Sequence, residues 1–336
     1  MVATNSVDVR SSGNRVEDDN HNHYYFSLLF IICFELIFTN FYVICVLLRS
    51  KCNGNKANVK IFVISLSVCD LLVGTVVTPF AVILLITDNW IAGGAFCTIW
   101  QMADQFTCTT CTLTLCVISV DRYWALKAPI NHNVSLKKKS VYLIVAFIWI
   151  ISILITITPF VTHQFSINNK NNGIQIFDNE YTNNSNPSTK ITCASTRHDP
   201  LYVLFVLIIS FLLPFTALIF VNYKTYRIVS KQIFAVRTLS REMRSEKPLR
   251  NSAFELSDAT HKQFKLTVTF GLIVGCFTLS WTPYFFCYAL FHICEKCIRN
   301  PGITFKVTSW LAWCSSGINP VIYMLMNYKT FFTSKT

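Results

Sequence analysis

The sequence predicts an all-α membrane protein: a bundle of seven transmembrane helices, N-terminus outside, ending in a short amphipathic C-terminal helix. Three observations predict it. The 336-residue chain is 52% hydrophobic and only 14% charged, where a soluble globular chain carries roughly 25% charged residues. Its apolar residues gather into seven long segments. Its basic residues gather between alternate segments, as the positive-inside rule requires of a multi-pass protein.

Residues 1–23 are polar, with Glu17, Asp18 and Asp19, and lack the apolar core of a cleavable signal. They are expected as an extracellular tail. The apolar segments follow at about 24–48, 59–87, 97–126, 140–161, 201–228, 264–292 and 304–326. At 1.5 Å per residue each can cross about 30 Å of hydrocarbon as a helix. Helix is the physical answer there because every backbone polar group must be satisfied without water. Residues 24–326 are therefore expected as the bundle and 327–336 as a short cytoplasmic segment. With the N-terminus outside, 21 of the 29 Lys and Arg fall on the inner side and 8 on the outer. The net charge of +12 is then mostly inner-side charge facing anionic lipid.

This pattern argues against a soluble enzyme and against a nucleic-acid binder, whose basic residues would spread over a surface. Most of the fourteen cysteines lie inside apolar runs, where Cys is a small buried hydrophobe. Cys97, Cys193, Cys294 and Cys297 lie in or beside outer loops, and the Cys294–Cys297 CxxC stands alone there, with no second such pair to complete a zinc site. Asn183 heads an Asn-Asn-Ser sequon in the long second outer loop and is a candidate glycosylation site. No internal repeat supports a transporter built of two halves, and no nucleophile–base pair supports an enzyme.

Ionisable residues at bilayer depth are functional candidates by default. They are Glu35, Asp70, Asp104 and the Asp121-Arg122 pair. Glu35 also reads as a snorkelling or partly protonated residue. Asp70 and Asp104 sit among Ser, Thr and Cys, as interior helices do. Pro79, Pro159, Pro214, Pro283 and Pro320 fall in five different segments, where each removes a backbone donor and kinks its helix.

Taken in order, the motifs resemble a rhodopsin-like (class A) G-protein-coupled receptor over nearly the whole chain. They are Asn40 in the first segment, Asp70 in Ser-Val-Cys-Asp-Leu-Leu, and Trp90 before Cys97. Asp121-Arg122-Tyr123 follows, with Pro129-Ile130 in the next loop, then Trp149 and Pro214. Ser280-Trp281-Thr282-Pro283 and Asn319-Pro320-Val321-Ile322-Tyr323 complete the set. Within the family the chain most resembles the biogenic-amine receptors (trace amine, octopamine, histamine and serotonin-like). Asp104 stands eighteen residues, or five helical turns, before Arg122, where those receptors carry the aspartate that binds the ligand's ammonium.

The resemblance implies a ligand site of Asp104, Cys108, Ser210, Trp281, Tyr284, Phe285, Trp310 and Trp313. It implies a switch and G-protein-coupling set of Asp121, Arg122, Tyr123, Pro129, Ile130, Phe277, Asn319, Pro320 and Tyr323. With the topology, it implies disulfides Cys97–Cys193 and Cys294–Cys297, both on the oxidising side. It implies no organic cofactor, and a candidate sodium site at Asp70 and Asn319, where Cys111 and Ser315 replace a serine and an asparagine. The implied partners are a small cationic amine, a heterotrimeric G protein and the lipid of the plasma membrane, with no nucleic acid.

Ser210 matches a position that meets a ligand's ring substituent, while Val206, one turn earlier, is apolar; a catechol pair of hydroxyls is poorly matched. Trp313 replaces a tyrosine that often bonds the aspartate, and it stands where an opsin would carry its retinal lysine. Gln263 stands in place of an acid, Asn222 in place of a tyrosine and Thr112 in place of a branched aliphatic; together they predict some ligand-free signalling or altered coupling, with Asn222 arguing the other way. The alternative readings are a same-fold receptor for a peptide, lipid or other non-amine ligand, and, from another class, a transporter.

Overall fold

The computed structural model describes residues 9–50, 55–87, 90–127, 137–169, 193, 200–242, 247–294 and 297–332. Helix α1 is Val9–Arg49. Helix α2 runs in three consecutive parts: Asn55–Leu72, a wide π-helical turn Val73–Val77, and Thr78–Thr87. Helices α3, Gly94–Lys127, and α4, Lys138–Asn169, follow. Helix α5 begins with Pro200–Val206, passes through a second π-helical turn, Leu207–Leu212, and continues as Leu213–Glu242. Helices α6, Lys247–Ile293, and α7, Pro301–Phe332, complete the bundle, with no strand among the described residues.

The helices outrun the apolar segments that announce them. Helix α1 starts at Val9, so most of the expected tail continues the helix outward, past Gly13 and with no proline to stop it. Helix α6 starts at Lys247 instead of near residue 264. At the other end of the chain α7 continues unbroken to Phe332, so residues 327–332 form its last turns. An apolar run ends where the membrane ends, but backbone hydrogen bonds do not require hydrocarbon, and the helix persists into the polar margin.

Each wide turn directly precedes a proline. Thr78 N–H closes on Val73 O just before Pro79, and Leu213 N–H closes on Ile208 O just before Pro214. A proline ring clashes with the carbonyl four residues back, and the five-residue turn moves that carbonyl aside. Such bulges gather at functional sites.

Helix α3 is the inner member, packed against α2, α4, α5 and α6, while α7 closes the bundle against α1 and α6. Phe62, Leu66, Leu115, Ile118, Phe215 and Phe277 form part of its continuous core. Buried polar groups share that interior, among them Asn40, Asp70, Asp121, Arg122 and Asn319. Large apolar residues face outward instead: Phe34 is 68% exposed, Leu143 71% and Leu279 75%. That inversion suits lipid as solvent. By length and composition five helical stretches among the described residues could cross a membrane: Leu29–Arg49, Ala57–Thr87, Lys138–Thr158, Val203–Ala235 and Phe264–Ile293. The third and seventh fall short because they carry the polar interior: a buried threonine series with Asp121 and Arg122 on α3, and Thr308, Ser315, Ser316 and Asn319 on α7.

Two cross-helix bonds lock this order. Trp149 Nε1 on α4 donates to Ser65 Oγ on α2 at 3.0 Å. Asn40 Nδ2 on α1 donates to Ser316 O on α7 at 3.1 Å. Beside it, the carboxyl of Glu35 rests against the bare backbone of Gly317, where a Cβ would overlap it. Glu35 thus belongs to the α1–α7 seam.

Candidate functional site

The outer half of the bundle gathers the predicted ligand residues around one carboxylate. Trp313 Nε1 on α7 donates to Asp104 Oδ1 on α3 at 2.8 Å. Trp310 meets Trp313 edge-on at 5.4 Å between ring centroids, and Trp100, one turn outward of Asp104, meets it edge-on at 6.4 Å. Trp100 is itself fixed, donating Nε1 to Val77 O at 3.0 Å, in the wide turn of α2. Cys108, one turn inward of Asp104, is buried.

On the facing side Trp281, Tyr284 and Phe285 of α6 form a ring cluster. Trp281 lies 5.9 Å from both neighbours, and Tyr284 stands edge-on to Phe285 at 5.5 Å. Phe285 stacks on Phe211 of α5 at 4.6 Å. Inward, Trp281 meets Phe277 at 5.9 Å, and Phe277 meets Phe215 at 5.9 Å. Trp281 Nε1 is buried with no partner among the described residues, so an acceptor entering here would meet a ready donor.

Ser210 lies in the wide turn of α5, 3% exposed, and accepts a hydrogen bond from Gln105 Nε2 at 3.2 Å. The same amide nitrogen lies 3.4 Å from Thr109 Oγ1. Sequence reasoning missed Gln105 and Trp100. Gln105 was legible only as a polar residue beside Asp104 in a largely apolar segment, because a search of ionisable groups passes over an amide. Val206 is buried and apolar, as expected.

Both expected disulfides form. Cys97, at the outer end of α3, bonds Cys193 with Cα atoms 5.7 Å apart, and Gln101 Nε2 reaches Cys193 Sγ at 3.9 Å. Since Gln101 is one turn outward of Asp104, Cys193 is stapled on the outer side of the carboxylate. Cys294 bonds Cys297 with Cα atoms 5.4 Å apart.

Deeper in the bundle Asp70 is 1% exposed. Asn319 Nδ2 donates to its Oδ2 at 3.1 Å, and Cys111 Sγ donates to Oδ1 at 3.6 Å. Asn319 Oδ1 is buried and has no partner among the described residues. A carboxylate beside an unpaired amide oxygen fits a hard cation. Cys111 brings a soft sulfur, and Ser315 turns its hydroxyl to Ala312 O at 2.6 Å.

At the inner end Arg122 donates Nε to Asp121 Oδ2 at 3.0 Å and pairs with the same oxygen through Nη2. Both side chains are buried. Tyr123 carries the Lys127 ammonium 5.5 Å from its ring centroid. Tyr323 is buried against Phe270 at 6.4 Å, and Pro320 lies inside α7. Asn222 Nδ2 on α5 donates to Ser119 Oγ on α3 at 3.0 Å. Pro129, Ile130 and Asn183 lie outside the described residues, and the side chain of Gln263 is likewise outside them.

Residues 39–323 match the family model of the 7 transmembrane receptor (rhodopsin family). The chain is 28% identical over 326 residues to the D(1B) dopamine receptor of Xenopus laevis, an alignment covering 92% of this chain and 68% of that one. It is 29% identical over 314 residues to the Alpha-1A adrenergic receptor of Oryzias latipes, covering 87% and 62%. It is 30% identical over 282 residues to the D(1A) dopamine receptor of Xenopus laevis, covering 78% and 61%. The chain thus spans between 61% and 68% of the length of these relatives. With its helical bundle and its motif set inside the matched region, the chain belongs to the rhodopsin family of seven-transmembrane receptors, a multi-pass plasma-membrane protein similar to biogenic-amine receptors and not an enzyme.

Proposed function

We propose that this receptor binds a protonated biogenic or trace amine through Asp104 and, in response, activates a heterotrimeric G protein. The observation that carries the reading is Asp104 itself: a carboxylate in the outer half of a membrane bundle, one oxygen held by Trp313, with aromatic rings around it. An ammonium and a carboxylate form a charge-assisted hydrogen bond of about 1.5–3 kcal/mol, and rings facing the cation add about 0.5–2 kcal/mol when desolvated. The relatives are named for dopamine and for adrenergic ligands, which supports an amine.

The ring end of the pocket favours at most one polar substituent. Where a catechol needs two neighbouring hydroxyl partners, α5 offers Ser210 and, one turn outward, Val206. An agonist shifts the receptor only by its differential affinity for two states. The chain of rings from Tyr284 through Trp281 and Phe277 to Phe215 is the element it would bias, and release of Arg122 from Asp121 the inner consequence. Asp70 and Asn319 are the residues that would hold a sodium ion between the two ends.

The test is second-messenger output, cyclic AMP and calcium, in cells expressing the full chain, across a panel of biogenic and trace amines. Asp104→Asn keeps the shape and removes the charge. It should lower potency about 10- to 100-fold or more at unchanged surface expression. A response that survives the substitution, or silence from a surface-expressed receptor, overturns the amine assignment and leaves the same fold with a non-amine ligand.

A further inference from the structure

Helix α7 is loosened at Pro320, and α1 holds it there. Pro320 lies inside the helix and brings no N–H, so Ser316 O, four residues back, lacks its helical donor. Asn40 Nδ2 of α1 takes that place at 3.1 Å. The next residue, Gly317, is buried, and the Glu35 carboxyl of α1 rests on it. A Cβ on Gly317 would overlap Oε2 and lie 3.1 Å from Cδ and 3.3 Å from Oε1. One turn outward Trp313 bonds Asp104 of α3, and two residues inward Asn319 bonds Asp70 of α2. The stretch Trp313–Asn319 thus meets a carboxyl group from each of three helices.

Glu35 is half-buried within the apolar span Leu29–Arg49. No counter-charge is at hand: α1 from Leu29 to Leu48, α2 from Ile61 to Thr87 and α7 from Val307 to Tyr328 contain no lysine or arginine. A carboxyl group at bilayer depth is costly unless it has a polar surface to lie on, and the bare backbone of Gly317 is such a surface. A movement that carries Gly317 away turns the carboxyl group towards lipid. The contact therefore favours the arrangement that keeps it, in which Trp313 bonds Asp104 and Asp121 holds Arg122. An ammonium at Asp104 competes with Trp313 for that carboxylate, so ligand entry bears on α7 one turn outward of the seat. Resting on the amine-receptor reading above, we infer that Glu35 is a positioning residue for signalling. Seated on Gly317, it restrains α7 beside its proline kink and holds down ligand-free output, and an agonist works against this seat.

The experiment measures ligand-free and amine-stimulated second-messenger output from the full chain at matched surface expression. The variants are Glu35→Ala, Glu35→Gln, Gly317→Ala and the double Glu35→Ala with Gly317→Ala. In Gly317→Ala the atoms that must yield are the end of a flexible side chain, and alanine suits a helix better than glycine, so the carboxyl group is unseated while α7 stands. Gly302→Ala, on the same helix with open space around its Cβ, controls for stiffening alone. Glu35→Ala and Gly317→Ala should each raise ligand-free output about three- to tenfold, with amine potency moving the same way. The double substitution should add little to either, since both remove one contact. Glu35→Gln keeps a polar head of the same shape that still needs the seat, and should stay near wild type. Wild-type output from Glu35→Ala or Gly317→Ala, effects that add in the double, a matching rise in Gly302→Ala, or Glu35→Gln as active as Glu35→Ala overturns the inference. An amine response that needs Asp104 leaves the receptor reading standing in each of those cases. No output from any variant, with or without amine, overturns both.

Discussion

Gln105 shows how a single uncharged side chain sets chemistry at one end of a pocket. Its amide nitrogen occupies Ser210 and Thr109 at once, so a ring substituent reaching α5 meets an amide–hydroxyl pair. Gln105→Leu should leave a response to unsubstituted phenylethylamine and lower the response to its 4-hydroxy form. The ratio between the two should fall about five- to tenfold, the worth of roughly one hydrogen bond. Paired concentration–response curves check it, and an unchanged ratio would remove Gln105 from ring recognition. Asp104, Trp313 and Ser210 were legible in the sequence because each has a readable chemistry at a recognisable register from Arg122 or a proline. Gln105 was not, because its role depends on a partner 105 residues away in the chain, and distance across a bundle is not written in periodicity. The same holds for Trp100, whose partners are a backbone carbonyl of α2 and a ring of α7.

Between helices, side-chain bonds among the described residues join the inner ends of α3 and α5, including Asn222 Nδ2 to Ser119 Oγ at 3.0 Å and Gln232 Nε2 to Leu126 O at 3.1 Å. They accompany the arrangement in which Asp121 holds Arg122. The replacements at Thr112 and Gln263 lead one to expect ligand-free signalling, whereas the Asn222–Ser119 bond restrains it. Asn222→Ala removes about 1 kcal/mol from the closed arrangement, which moves a two-state equilibrium about fivefold towards the open one. Ligand-free second-messenger output should rise accordingly over surface-matched wild type. Ser119→Ala should do the same, and the double substitution should add little beyond either. Output that stays level or falls would make Asn222 a packing residue only. Where the helices run was legible to within their apolar parts. Their true ends were not, because α1 and α6 continue into polar sequence that carries no membrane signal. The wide turns at Val73–Val77 and Leu207–Leu212 were foreshadowed only by the prolines that follow them.

At the scale of the whole molecule, charge and disulfides point to one proposed orientation. Counting basic residues places 21 on one side and 8 on the other, which favours an N-terminus outside. The bundle places both disulfides at the end remote from Arg122, the end that holds Asp104, and disulfides persist on the oxidising side. The proposed topology therefore rests on charge, and the disulfides are consistent with it. The agreement makes a direct prediction. In intact cells a membrane-impermeant maleimide should label the receptor weakly, because the outer sulfurs are paired and the other described cysteines, such as Cys69, Cys108 and Cys111, lie within the spanning helices. After an impermeant reductant, labelling should rise. Most of the gain should come from Cys294 and Cys297, since Cys297 is exposed whereas Cys97 and Cys193 are partly covered. Cys294→Ser with Cys297→Ser should remove most of that gain. Cys52, in the basic loop between α1 and α2, should label only once the membrane is opened. Strong labelling of Cys52 in intact cells would reverse the orientation and put Asp104 out of reach of any extracellular amine.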